Sequence, residues 1–484
     1  MSPDQMSERR VALLFLSLTL VGAIAFVAAL PGTGNEILSY AFAICLTSAV
    51  LTASVLRCTA SPAAADAEAP LDAAAAQCAG SSERGRSDYL DRLKTVLTAI
   101  VILHHCTCAF VGSGWYLCVG NFAASSFAAL GKPLLLLDQS YFMSLFFFLS
   151  GYFTPRSFAR KGRRDFCIDR LQRLGLPLMA FLYVGGPIVG VLTQAAAGHA
   201  YTYQPDPGPC WYIAWLLLLS GAYAVIGGPP LPEAPRPALG RLVGWGALLG
   251  MLQALLLALL PGGSFAFMPI TIGSLPFDLA FFYAGIAAYR SRWLDAPLAT
   301  SERVLAWAVS AAFGLITFGG NVANTAAIQQ QPHNSTAYYP SATFPMPACD
   351  AAADPACGGA TLTALVALCV GAGVFSVAWS AAMLDLFRLW SAPSSPLQRE
   401  LGRSAYAAYL VHPLLVVPLT ALCIALMRAT GAEIDFPPKG SSSASPLASG
   451  WLALGWATVT SASIVMTWLV AAALRRLPGC RQVL

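Results

Sequence analysis

The residues best suited to chemistry begin with a cation and two histidines. In the stretch Asp88-Tyr-Leu-Asp-Arg-Leu-Lys94-Thr-Val-Leu-Thr-Ala-Ile-Val-Ile-Leu-His104-His105, Lys94 and His105 are eleven residues apart. In a helix that separation turns through about 1100°, which returns His105 to within roughly 20° of the Lys94 face and raises it by about 16 Å. His104 points about 100° away from His105. An imidazole changes charge near neutral pH and can act as a general base, so this face pairs an anion holder with a proton acceptor. A histidine in such a helix can also simply bond a neighbouring helix.

A second cluster runs from Arg156 to Pro177 and holds Arg156, Arg160, Lys161, Arg163, Arg164, Arg170 and Arg173. Arg170 and Arg173, spaced i, i+3, are expected to project together, and paired guanidinium groups suit bidentate capture of phosphates. The same cluster could instead touch anionic lipid head groups, with Asp169 pairing Arg173 at i, i+4. Further candidates are Ser150 in Phe146-Phe-Phe-Leu-Ser150-Gly151-Tyr152, Trp211 in Cys210-Trp211-Tyr212, Asp278 in Leu275-Pro-Phe-Asp278, and His412 in Tyr406-Ala-Ala-Tyr409-Leu-Val-His412-Pro413. Pro413 lacks an N–H, so it frees a carbonyl beside His412. The thirteen cysteines follow no metal-ligand spacing, and no metal is expected.

The elements that hold these residues are membrane helices. Of 484 residues, 57% are hydrophobic and 11% charged, against about 25% charged in a soluble domain. The apolar residues fall in runs of about 18–25, the length of a helix crossing some 30 Å of hydrocarbon. The runs must be helical, because lipid offers the backbone no hydrogen-bond partners. The fold class expected is therefore all-α, a polytopic bundle of about twelve spans: 11–30, 38–56, 95–113, 136–154, 174–194, 210–228, 239–260, 267–288, 304–322, 361–387, 404–428 and 450–474. The first follows Arg9 and Arg10 like a signal peptide, but its length favours a retained span. With the N-terminus inside, 25 of the 28 Lys and Arg residues lie inside, leaving only Lys132, Arg428 and Lys439 outside. That asymmetry orients both termini to the cytosol. It fits an endomembrane or plasma membrane in a eukaryote, or the inner membrane of a bacterium.

Along the chain this gives two N-terminal transmembrane helices in 1–57, an Ala/Ser/Asp/Glu-rich disordered cytosolic linker in 58–87, a ten-helix domain in 88–476 and a cytosolic tail in 477–484. Two longer outside loops, 114–135 and 323–360, could cover an outer-face site, and the second carries Asn334-Ser335-Thr336, a glycosylation pattern.

Taken in order, Tyr89-Leu-Asp-Arg-Leu-Lys-Thr through His105, Phe146 through Pro155, Arg170-Leu-Gln-Arg173, Trp211-Tyr212, Phe281-Phe-Tyr-Ala-Gly-Ile286 and Tyr406 through Pro413 resemble the acyltransferase 3 family of integral membrane acyltransferases. Within it they are most similar to the glucan biosynthesis protein C type enzymes. The resemblance runs from about Tyr89 to Arg475. Family members carry a basic residue, ten intervening residues and a histidine in the first core span. Lys94 and His105 fit that frame, with Lys where Arg is usual. Arg170 and Arg173 match the family's Arg-x-x-Arg loop. The resemblance implies transfer of an acyl group, of acetyl or succinyl type, from cytosolic acyl-CoA to a hydroxyl of a carbohydrate or other acceptor. His105 would be catalytic, and Lys94, Arg170 and Arg173 would hold the acyl-CoA. The partners implied are acyl-CoA, the acceptor and the bilayer, with no nucleic acid. The rival reading is a proton-coupled transporter or flippase using His105, Asp278 and His412 as a relay.

Overall fold

The computed structural model describes residues 82–111, 117, 126–198, 200–201, 203–228, 233–259, 274–329, 355–390, 395–431, 449–477 and 480–483. Spans 11–30 and 38–56, and Asn334, lie outside the described residues. The described chain is helical, with no strand among the described residues. The long helices are α1 (Ser82–Phe110), α2 (Ser126–Arg170), α5 (Trp211–Ile226), α6 (Leu239–Leu259), α7 (Leu275–Arg290), α8 (Thr300–Gln329), α9 (Pro355–Leu389), α10 (Pro396–Val411), α11 (Pro413–Ala429) and α12 (Ser449–Leu474). Between α2 and α5, two π-helical turns, Leu171–Gly175 and Phe181–Gly185, flank α3 (Leu176–Ala180) and lead into α4 (Gly186–Ala197). A short α13 (Cys480–Val483) ends the chain.

Among the described residues, six helical stretches are long and apolar enough to cross a membrane: Asp88–Phe110, Leu130–Ala197, Gly208–Ile226, Leu239–Leu259, Leu365–Leu389 and Gly450–Leu474. A seventh is added if α10 and α11, bent by 66°, count together. The molecule is a multi-pass membrane protein on this ground. Three expectations change. The span expected at 404–428 is broken at His412, because Pro413 cannot continue the backbone ladder. Spans 136–154 and 174–194 belong to one nearly continuous helical run, interrupted in direction at Gly162, whose φ of 72° only glycine adopts freely. α1 begins at Ser82, inside the expected linker, since a nucleated helix extends at little cost.

Glycine decides which helices pack. A Cβ on Gly151 of α2 would lie 2.0 Å from the Phe282 carbonyl oxygen, and one on Gly285 of α7 would lie 2.0 Å from that of Phe148. α2 and α7 thus touch backbone to backbone. α6 and α9 do the same through Gly246, Gly250 and Gly373, the small-residue contact that membrane helices use where lipid removes the hydrophobic drive. On the other side of α1, Trp456 of α12 donates its indole N–H to Thr107 at 2.9 Å.

Candidate active site

α1 presents its two histidines to different neighbours. His104 is buried against α2, with Nδ1 3.7 Å from the Asp138 carboxylate and its ring 5.1 Å from Phe142. Asp138 and Phe142 are one helical turn apart and so share a face. His105 is half-buried, and its ring stacks on that of His412, with centroids 5.0 Å apart and planes 14° from parallel. The two α1 rings meet edge to face at 5.4 Å. Asp138, His104, His105 and His412 therefore form a row, in which His105 is the most exposed of the three imidazoles.

The chain fixes His412 by local chemistry. Pro413 has no N–H to give the carbonyl four residues back, which is that of Tyr409. His412 Nδ1 lies 2.6 Å from this oxygen. A carbonyl can only accept, so Nδ1 must donate to it, and in the neutral ring Nε2 is left as the acceptor. The same break that bends α10 against α11 thus sets the tautomer of the ring stacked on His105.

Below His412, α10 presents two tyrosines. The Tyr409 hydroxyl donates to the Pro209 carbonyl, and the Tyr406 hydroxyl donates to the Arg173 carbonyl. The Tyr409 ring stands edge-on to Tyr212 of α5 at 5.9 Å. The Tyr212 hydroxyl donates to the Phe146 carbonyl at 3.2 Å and lies 2.7 Å from Ser150 Oγ. With its proton committed to Phe146, Tyr212 accepts from Ser150, so Ser150 serves as a donor to a phenol rather than to a histidine.

Arg170 is half-buried at the end of α2, 4.8 Å above the Phe166 ring, and interacts electrostatically with Tyr212 and Tyr406. Arg173 is exposed and pairs with Asp169 at 3.1 Å. The two differ in exposure but lie close enough to interact electrostatically. A π-helical turn, Leu171–Gly175, starts between them, and both remain within electrostatic reach of Asp169 and Tyr406. Lys94 bonds Asp91 at 3.0 Å and sits 4.1 Å over the Phe153 ring of α2. α1 is unbroken from Lys94 to His105, so the rise of about 16 Å between them stands.

Asp278 is buried in the first turn of α7, where Ser274 donates to it at 3.1 Å. α7 starts at Leu275, so Asp278 lies in its first turn, where the helix dipole favours a negative charge. Trp211 is half-buried and packs edge-on against Tyr212 at 6.4 Å. Asp138, Tyr212, Tyr406 and Tyr409 are site residues the sequence reading did not single out. Each tyrosine lies in a motif that carries another candidate, Tyr212 after Trp211, and Tyr406 and Tyr409 ahead of His412. Among the described residues no three His, Cys, Asp or Glu side chains could hold a metal ion.

The site therefore combines a stacked imidazole pair, a tyrosine network and a cation at the helix ends, all within the segments whose order first suggested a family. The family model described as an acyltransferase domain matches residues 87–475. Comparison with curated proteins and with solved structures returned no match. A match over most of the chain, covering every element of the site, places it: the chain belongs to the acyltransferase 3 family and is a membrane acyltransferase.

Proposed function

We propose that the protein moves an acetyl or succinyl group from cytosolic acyl-CoA to a hydroxyl of a carbohydrate acceptor, as in the glucan biosynthesis protein C-like branch. The observation that carries this is the half-buried His105 stacked on a fully buried His412 of fixed tautomer. A base must meet its substrate, and His105 is the ring with surface to offer. Arg170, between the Arg-rich segment and Tyr212, holds the phosphates, and Lys94 adds a second cation on the cytosolic side in this reading. A coenzyme A arm then spans the rise from Lys94 to His105. His105 takes the proton of the acceptor hydroxyl as its oxygen attacks the thioester carbonyl. The tetrahedral intermediate expels the thiolate, which recovers the proton from the imidazolium, leaving an ester and free coenzyme A. Both termini and the Arg-rich loop are cytosolic in this reading, with twelve spans in all. A proton-relay carrier would need Asp278 joined to the histidines, whereas Asp278 bonds Ser274.

Thiol release from acetyl-CoA and succinyl-CoA by purified protein, measured with and without a glucan acceptor, tests the reading. His105→Ala is expected to lower transfer by about 10²–10⁴-fold while acyl-CoA binding persists. His104→Ala, losing a helix contact worth roughly 0.6 kcal/mol, should keep most activity. An inactive His104→Ala beside an active His105→Ala would overturn the assignment.

A further inference from the structure

α6 is held to α9, and α7 to α2, by the glycine contacts described above, whereas α6 and α7 meet only lightly. The gap between the two pairs is an apolar groove of about 460 Å³, within the about 300–1,000 Å³ of ordinary small-molecule sites. Leu242, Trp245 and Leu249 of α6, Tyr283 and Ala284 of α7, and Leu384 of α9 line it. Trp245 and Tyr283 are more than half exposed, at 56% and 53%, so in a membrane the groove opens toward lipid chains.

A hydrocarbon chain gains little by leaving the bilayer for an equally apolar groove, so any selectivity must come from the mouth. There the charges do not balance. Arg236 is neutralised by Glu302 at 2.5 Å, and Asp385 by Arg303 at 2.6 Å. Arg388, which lines the same mouth, donates instead to the carbonyls of Leu294 and Asp295. No carboxylate pairs with it among the described residues. A guanidinium has five N–H donors in a planar fork that fits a phosphate, and two carbonyl bonds leave it able to reach one. Leu389 and Trp390, both largely exposed, follow directly, as an interfacial anchor does.

We infer that this groove is a lipid site: it holds one acyl chain of an anionic phospholipid whose phosphate rests on Arg388. The site is separate from the histidines and does not depend on the acyl donor.

Protein reconstituted in nanodiscs with diazirine-acyl phosphatidic acid or diazirine-acyl phosphatidylcholine, then irradiated, digested and mapped by mass spectrometry, tests this. Adducts are expected on α6, α7 and α9 peptides, with phosphatidic acid favoured about fivefold, as one Arg near an anionic head group provides. Arg388→Gln should abolish that preference while adducts persist. Ala284→Trp, which fills the groove, should remove the adducts of both lipids. Absence of adducts from these helices, or a preference unchanged in Arg388→Gln, would overturn the proposal. No acyl transfer is measured, so this outcome is independent of the acyltransferase reading.

Discussion

The two halves of the bundle are built on opposite principles. Around α1, α10 and α11, helices break or turn to place polar side chains, and hydroxyl, imidazole and carbonyl groups satisfy one another. Around α2, α6, α7 and α9, glycine backbones touch, leaving almost no side chain between them. In the first half Pro413 removes one backbone hydrogen bond and the His412 imidazole replaces it. The second supplies a stiff frame, because a backbone-to-backbone contact has nothing to repack. The difference teaches where substitution should cost stability and where it should cost rate alone.

Gly285→Val puts the largest strain on the frame. Its Cβ would lie 2.0 Å from the Phe148 carbonyl oxygen and 2.7 Å from the Tyr152 nitrogen, both backbone atoms that cannot swing away. α7 must move off α2, and a loss of about 3 kcal/mol or more is expected, at or beyond the usual range for overpacking. The thermal midpoint of detergent-solubilised protein should fall and activity should fall with it. A variant of unchanged midpoint would mean that this contact is not the frame.

Arg170→Gln tests the polar half, which the end of α2 reaches through Tyr406 of α10. Arg170 is half-buried among phenols, whereas Arg173 is exposed and paired with Asp169. Loss of a charged phosphate contact at Arg170 should cost about 1.5–3 kcal/mol, read as a raised KM for acyl-CoA with the thermal midpoint unchanged. Arg173→Gln should raise KM less. Equal effects would show that the two side chains converge once the nucleotide binds.

How much of this was legible in the sequence follows from which forces are local. Helix content and the membrane class came from hydropathy, because lipid forces every crossing segment into a helix. The break at His412 was announced by Pro413, whose effect is confined to one turn. The partners of His104 and His105 were not legible, since Asp138 and His412 lie on other helices and only packing brings them close. The π-helical turn between Arg170 and Arg173 was not legible, because such a turn has no sequence signature comparable to proline. The glycine frame could have been read from Gly246-x-x-x-Gly250, where small residues four apart let a second backbone approach. Tyr409 and Tyr212 stood inside noted motifs, yet nothing local to either says that they meet.

The smallest expected effect belongs to Glu302, which ties the first turn of α8 to the start of α6. One carboxylate oxygen accepts the backbone N–H of Leu239, the first residue of α6, at 2.9 Å, and the other pairs with Arg236. Partial burial would raise its pKa, but the Leu239 amide and the Arg236 guanidinium outweigh that and hold it below the ordinary glutamate value. A carboxylate whose pKa is lower folded than unfolded adds stability above the unfolded pKa, and that stability is lost as pH falls through the folded one. The thermal midpoint of the parent protein should therefore drop on acidification below the normal Glu range of about 4.3. Glu302→Gln should lower the midpoint at neutral pH by the amount of a partly exposed ion pair and cap, about 0.2–1 kcal/mol. It should also flatten this part of the acid response, because the variant has no proton to bind there. A parent and variant with parallel acid profiles would assign the acid sensitivity to other carboxylates and leave Glu302 as a helix cap only.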